Sequence, residues 1–366
     1  MEIRAAVTRD AGQAFSIEPL KLDAPRANEL LVRIVATGLC HTDLAVRDQI
    51  LPSPLPIVLG HEGSGVVEAV GNSVTDFAVG DHVVLSFAAC RHCARCRAGE
   101  PGYCESFFPV NFGGCREDGS KCLHDANGEV GSHFFGQSSF ATHALVASKN
   151  AVKVTKDAPL ELLGPLGCGI MTGAGAVMNS LAIQPGETLL VTGGGPVGLS
   201  AVMAAASRGA RAIVVSDPLA GRRAVALELG ATHAIDPTEG DLDAQVRAIL
   251  PAGADCVLDT SGVPAVIGQA IGLLGVRGRM GMVGVPNRLD ATFTAAILPM
   301  LSLGARICGI TEGDADPRTF LPQLIELHAE GKFPFDRMVT LYPLERINEA
   351  IEDQLRGVCT KAVLTM

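Results

Sequence analysis

Four cysteines in one short stretch, Cys90, Cys93, Cys96 and Cys104, constrain this chain more than any other feature. Two C-x₂-C gaps each present a pair of sulfurs to one centre, and Gly99, Pro101 and Gly102 supply the bend that returns Cys104. That is the Cys₄ pattern of a structural zinc, closed on all four sides. Disulfides or separate core thiols are the alternatives. The close spacing argues against four unconnected thiols. The N-terminus, Met1 to Asp10, is charged at both ends and has no apolar segment of the kind that directs secretion. A reducing, cytoplasmic setting is expected, where eleven cysteines serve metals or catalysis rather than cross-links.

With 366 residues, two domains are expected, and 48% apolar residues suffice for a core in each. A net charge of -10 argues against nucleic acid or an anionic membrane surface as the main partner, since both need a concentrated basic face. A small molecule fits better. The uncharged run from Leu162 to Gly186 does not read as a membrane span, because Gly164, Pro165, Gly167, Gly169, Gly173 and Gly175 interrupt it.

Up to about residue 90 the chain reads as short strands separated by Gly and Pro turns, for example Leu30 to Ala36, Gly65 to Val70 and Asp81 to Leu85. The cysteine lobe and a Gly-rich loop interrupt this β-rich part, and Phe140 to Val154 resumes it. From about 170 to 310, apolar strands alternate with helical segments, which predicts a parallel sheet with right-handed crossovers. Expected strands include Leu189 to Val191, Ala212 to Ser216, Ala254 to Asp259 and Arg279 to Gly284; expected helices include Val197 to Arg208 and Arg222 to Leu229. Residues 318–332 read as helix, and Lys361 to Met366 as a final strand.

Gly193-Gly194-Gly195-Pro196-Val197-Gly198 matches G-x-G-x-x-G where it carries weight, after an apolar strand and at the start of a helix. Its glycines let a pyrophosphate approach backbone amides at the positive helix end. Asp217 ends the next strand, where a carboxylate accepts both ribose hydroxyls and repels a 2′-phosphate. NAD is therefore expected rather than NADP.

A second set of ligand types is scattered: Cys40 in Cys-His-Thr-Asp, His61 in Gly-His-Glu-Gly and Cys168 in Gly-Cys-Gly. Two thiolates and one imidazole leave a fourth tetrahedral position open, as a catalytic zinc requires. Taken singly, a Cys or His of this kind is more often a core residue.

With these motifs in family order, the chain resembles the zinc-containing medium-chain alcohol dehydrogenases from near Met1 to Met366, and within them the bacterial aryl-alcohol (benzyl alcohol) enzymes. The resemblance implies an α/β protein with a GroES-like, β-rich catalytic domain (residues 1–169 and 313–366) and a Rossmann cofactor domain (residues 170–312). It implies two zinc ions per chain: a catalytic one on Cys40, His61 and Cys168, and a structural one on Cys90, Cys93, Cys96 and Cys104. It also assigns roles. Asp43 orients the ligand imidazole, Glu62 stands behind the zinc, and Thr42 takes the alcohol proton. His41 and Lys361 contact the pyrophosphate, Asp217 and Arg222 the adenosine ribose, and Thr172, Val197, Val283, Val285, Ile310 and Glu312 the nicotinamide end. Leu51, Ser86, Phe134, Phe135, Val285 and Thr311 line the substrate pocket.

The implied reaction is oxidation of an aryl or allylic primary alcohol to the aldehyde, with hydride transfer to NAD⁺. Ser86 is small where some relatives carry a ring, which leaves room for such an alcohol. One departure stands out: many relatives place a histidine three residues past the relay hydroxyl, and this chain has Ala45. A thiol-dependent formaldehyde dehydrogenase is the second reading, with Arg116 as the candidate cationic anchor. A non-catalytic nucleotide-binding protein is the third. A homodimer or homotetramer is expected.

Overall fold

The computed structural model describes all 366 residues, which divide into two units. The first comprises Met1–Cys168, Asp316–Pro322 and Val339–Met366; the second comprises Gly169–Ala315 and Gln323–Met338.

The first unit is built on two sheets. One runs Ile57–Val58, Glu2–Thr8, Ser16–Leu22, Leu123–Asp125, Gly128–Val130 in spatial order. The other runs Ala151–Val154, His82–Leu85, Gly63–Val70, Glu29–Gly38, Lys361–Thr365, Val339–Pro343, with His143–Ala147 also on Glu29–Gly38. Strand Glu29–Gly38 is its centre. The period of two turns Leu30, Val32 and Ile34 inward onto Val67, Val83 and Val146, while Arg33 faces solvent. The last strand, Lys361–Thr365, pairs with it antiparallel, Val363 opposite Gly38, so the end of the chain lies beneath the turn that begins at Leu39.

The second unit holds a six-stranded parallel sheet in the order His233–Ile235, Ala212–Ser216, Thr188–Thr192, Ala254–Asp259, Leu274–Met282, Arg306–Gly309. The order reverses beside Thr188–Thr192, as in a Rossmann fold, and ligands of such sheets lie off the carboxyl ends of the strands at that point. Leu190, Val214, Val246, Val257, Ile271 and Met280 form its core. The run expected as strand from Arg279 begins earlier, at Leu274.

Residues 323–338, read from sequence with the first domain, cluster with the second unit. Leu324, Phe333 and Phe335 are fully buried there, and the turn Phe335–Met338 packs on helix Pro196–Ser207. The uncharged run forms two short helical segments, Leu160–Gly167 and Gly169–Ser180, bent by 57°. No single helix is long and apolar enough to cross a membrane.

Candidate active site and metal centres

The sulfurs of Cys90, Cys93, Cys96 and Cys104 all lie within 4.8 Å of one another. Backbone amides point at them: Cys93 N–H reaches Cys90 Sγ at 3.3 Å, Cys96 N–H reaches Cys93 Sγ at 3.4 Å, and Cys90 N–H reaches Cys104 Sγ at 3.3 Å. Donors aimed at sulfur favour the thiolate, and the amide of Cys96 leads in bringing the Cys93 thiol down to about 6. Arg91 ties the lobe to Asp316 at 3.1 Å.

The second cluster joins residues far apart in sequence. Ligand atoms of Cys40, His61, Glu62 and Cys168 also lie within 4.8 Å of one another. Cys40 follows strand Glu29–Gly38 and caps helix His41–Arg47. His61 follows Gly60, which a side chain would not replace: its φ is +89°, and an added Cβ would sit 2.4 Å from the Phe140 amide nitrogen. Cys168 ends the turn Gly164–Gly167.

Asp43 organises this cluster. Fully buried, it takes His61 Nδ1 at 2.9 Å and the Gly60 N–H at 3.1 Å on one oxygen, and the Cys40 N–H at 3.0 Å on the other. His61 Nε2 is thereby turned to the cluster, buried and without a hydrogen-bond partner. An orphaned imidazole nitrogen among thiols is satisfied by a metal ion, so the donor set fits one. Hydrogen bonding from Cys168 leads in drawing the Cys40 thiol well below its ordinary value, with the charges of His61 and Lys361 adding to it. Burial works against a charged His61, yet Asp43 and Cys40 hold it well above the usual histidine range.

Glu62 is fully buried, its Oε2 2.5 Å from Lys361 Nζ, which also donates to Leu39 O at 2.7 Å. Lys361 is 1% exposed. Its ammonium lies against Glu62 because strand Lys361–Thr365 enters beneath the Cys40 turn. His41 is exposed. Thr42 is half-buried, with its hydroxyl 3.7 Å from Cys40 Sγ. Ala45 lies on the buried face of the same helix.

Two aromatic rings flank the imidazole. Phe135 stacks on His61 with ring centres 4.5 Å apart, and Phe134 meets it edge-on at 5.4 Å. They sit on a turn with positive φ at His133 (59°), Phe135 (49°), Gly136 (69°) and Ser138 (55°). Each such non-glycine conformation costs on the order of 1 kcal/mol or more and persists where surrounding contacts hold it. Here Ser138 Oγ donates to Val58 O at 2.6 Å and accepts the Phe134 N–H at 3.0 Å. Gln137 donates to His61 O at 2.9 Å and accepts the Gly63 N–H at 3.0 Å. Phe107 and Phe112, absent from the sequence reading, pack on Phe135 at 6.2 and 5.2 Å. The cluster Phe107-Phe108 with Phe112 was their only signal.

Of the remaining residues expected to line the pocket, in the first unit Ser86 is buried and donates to Gly167 O at 2.6 Å and Leu51 is half-buried; in the second, Thr311 is half-buried and Val285 is 38% exposed. Arg116, the candidate anchor for an acidic thiol cofactor, is 8% exposed and already engaged by Glu29, with Nε to Oε1 at 2.6 Å. It offers no free cation.

In the second unit, the glycine loop leaves strand Thr188–Thr192 and enters helix Pro196–Ser207. Gly193 has φ +104°, and a Cβ on Gly198 would collide with its carbonyl at 1.9 Å; a Cβ on Gly195 would meet open space. That space at a helix N-terminus is a cradle suited to a pyrophosphate. Asp217 takes the Gly194 and Leu219 N–H groups, each at 2.8 Å, with Arg222 Nη1 3.7 Å away. Val283 and Val285 follow strand Leu274–Met282, and Ile310 and Glu312 follow Arg306–Gly309, at the same carboxyl edge of the sheet. Thr172 and Val197 are half-buried on helices Gly169–Gly175 and Pro196–Ser207.

These features define a two-part dehydrogenase with two candidate metal centres, and known proteins agree. Residues 26–156 match the alcohol dehydrogenase GroES-like domain, and residues 196–330 the zinc-binding dehydrogenase model. Geraniol dehydrogenase of Castellaniella defragrans is 53% identical over 99% of this chain and 97% of its own. The solved benzyl alcohol dehydrogenase of Acinetobacter calcoaceticus superposes with a TM-score of 0.97 at 45% identity, covering 100% of this chain and 99% of that one. A solved alcohol dehydrogenase zinc-binding domain protein from Burkholderia ambifaria gives 0.98 at 55% identity, again over 100% and 99%. The chain belongs to the zinc-containing medium-chain alcohol dehydrogenase family.

Proposed function

We propose that this enzyme oxidises aryl or allylic primary alcohols to aldehydes with NAD⁺ as hydride acceptor. The observation that carries the reading is the convergence of Cys40, His61 and Cys168, with His61 Nε2 unpartnered, under the rings of Phe134 and Phe135. Geraniol and benzyl alcohol, the alcohols in the names of two similar proteins, are an allylic and an aryl primary alcohol.

Cys40, His61 and Cys168 would hold the catalytic zinc, and the four cysteines from Cys90 to Cys104 the structural one. Bound zinc would supply Lewis-acid polarisation of the alcohol oxygen, and NAD⁺ a hydride acceptor. Asp43 fixes the imidazole so that Nε2 is the ligating atom. Thr42 takes up the alcohol proton while releasing its own, and with Ala45 offering no acceptor that proton passes to solvent. Phe134 and Phe135 present ring faces and edges to an unsaturated substrate. Gly193, Gly195, Pro196 and Gly198 would seat the pyrophosphate. Asp217 favours NAD, so Asp217→Ala is expected to shift preference toward NADP⁺; an unchanged ratio would place ribose recognition elsewhere.

A homodimer is part of this reading. Arg306–Gly309 is the last strand of the parallel sheet, next to Leu274–Met282, and the helix before it exposes Ile297, Leu298 and Leu301 by 72 to 74% each. An apolar patch of this kind at the end of a sheet suits a second copy.

The thiol-dependent formaldehyde alternative loses its candidate anchor, since Arg116 is buried against Glu29. The test is NADH formation over benzyl, cinnamyl, geranyl and short aliphatic alcohols, with and without glutathione. Turnover confined to the aryl and allylic set sustains the proposal; glutathione-dependent turnover of formaldehyde alone would replace it.

A further inference from the structure

His133 begins the turn that carries Phe134 and Phe135, yet its own partners lie away from the metal ligands. Its Nε2 stands 3.6 Å from Glu29 Oε1, and its Nδ1 lies 3.1 Å from Ser132 Oγ and 3.7 Å from Cys122 Sγ. Glu29 takes Arg116 Nε at 2.6 Å, Arg116 Nη2 at 3.2 Å and the Arg26 N–H at 2.8 Å. Asp23 faces Arg116 at 3.8 Å from the open side. Glu29, Arg116 and His133 are 7, 8 and 7% exposed.

Burial opposes charge on each group, but their mutual contacts outweigh it. Glu29, which burial alone would raise, is brought to about 2 by His133 and Arg116; His133, which burial alone would lower, is carried to about 9 by Cys122 and Glu29. Buried ion networks are poor net stabilisers and are best attested where they specify one conformation. The conformation at stake here is the left-handed one at His133, φ 59°, which sets the direction of the next two residues.

We propose that Glu29, Arg116 and His133 are positioning residues for the aromatic wall of the alcohol site. Their contacts hold the His133 turn so that Phe134 and Phe135 bear on His61, and thereby set the preference for aryl and allylic over short aliphatic alcohols. The specificity part rests on the alcohol-oxidation reading above; the positioning part does not.

The experiment compares His133→Leu, His133→Gln and Glu29→Gln in the full-length, zinc-loaded enzyme. Hydrogen exchange over residues 132–140 is followed by mass spectrometry, and kcat and KM are measured for benzyl alcohol and ethanol. His133→Leu and Glu29→Gln are expected to accelerate exchange in that segment and to raise the KM for benzyl alcohol about tenfold, with kcat nearly unchanged and the ethanol KM unmoved. His133→Gln, which still donates toward Glu29, is expected to recover most of the loss. Should His133→Leu fail to fold, Glu29→Gln carries the same readouts. Unchanged exchange overturns the positioning role, and parallel rises in both KM values overturn the specificity role. If the wild-type enzyme oxidises neither benzyl alcohol nor geraniol, the functional reading falls with the specificity claim, while exchange still decides whether these residues hold the turn.

Discussion

Asp43 shows how much a single side chain decides. Its carboxylate links three parts of the site: the Cys40 amide, the Gly60 amide and the His61 ring. Asp43→Asn keeps the shape but loses the charge and leaves an amide where an acceptor is needed. A loss of about 10- to 100-fold in zinc affinity or activity is expected, read by metal analysis and kcat. Glu29 offers a pH test. Its carboxyl lies at about 2 in the folded chain against an ordinary 4.5, with His133 and Arg116 overcoming the effect of burial. A depressed folded value means stability that is fully present above about pH 4.5 and lost as pH falls toward 2, on the order of 2 to 3 kcal/mol. Urea unfolding from pH 6 down to pH 3 should show a steeper loss in the wild type than in Glu29→Gln.

Elements bring the residues to their places. Strand Glu29–Gly38 carries Glu29 at one end and delivers Cys40 just past the other, so the positioning network and the metal cluster share one backbone. The cysteine lobe has only the four-residue helix Ala94–Arg97 and short turns, too little regular structure to stand without its metal. Cys104→Ser is expected to lower zinc from two ions per chain to one and to open residues 90–115 to proteolysis. A chain that still carries two ions would remove Cys104 from the ligand set.

For the whole molecule, the prediction concerns assembly. Leu298→Asp together with Leu301→Asp places charge on the exposed helix beside the edge strand, and light scattering should then report a monomer where the wild type is a dimer. A wild type that is itself monomeric, or a variant that stays dimeric, would remove this face as the interface.

Much of this was legible from sequence because it depends on local chemistry. The Cys₄ spacing, the glycine fingerprint after a strand and the period of two in Leu30, Val32 and Ile34 each act within a few residues, so the chain alone determined the lobe, the glycine loop and the two kinds of sheet. What only the tertiary structure decided depends on distant segments meeting. Lys361 became the buried partner of Glu62 because the last strand pairs with Glu29–Gly38. Arg116 was withdrawn from any ligand by Glu29, 87 residues away. The rings of Phe107 and Phe112 joined those of Phe134 and Phe135 only once helix Phe107–Phe112 packed on their turn. A buried charge takes whichever partner the fold places within a few ångströms, and no spacing in the sequence records that distance.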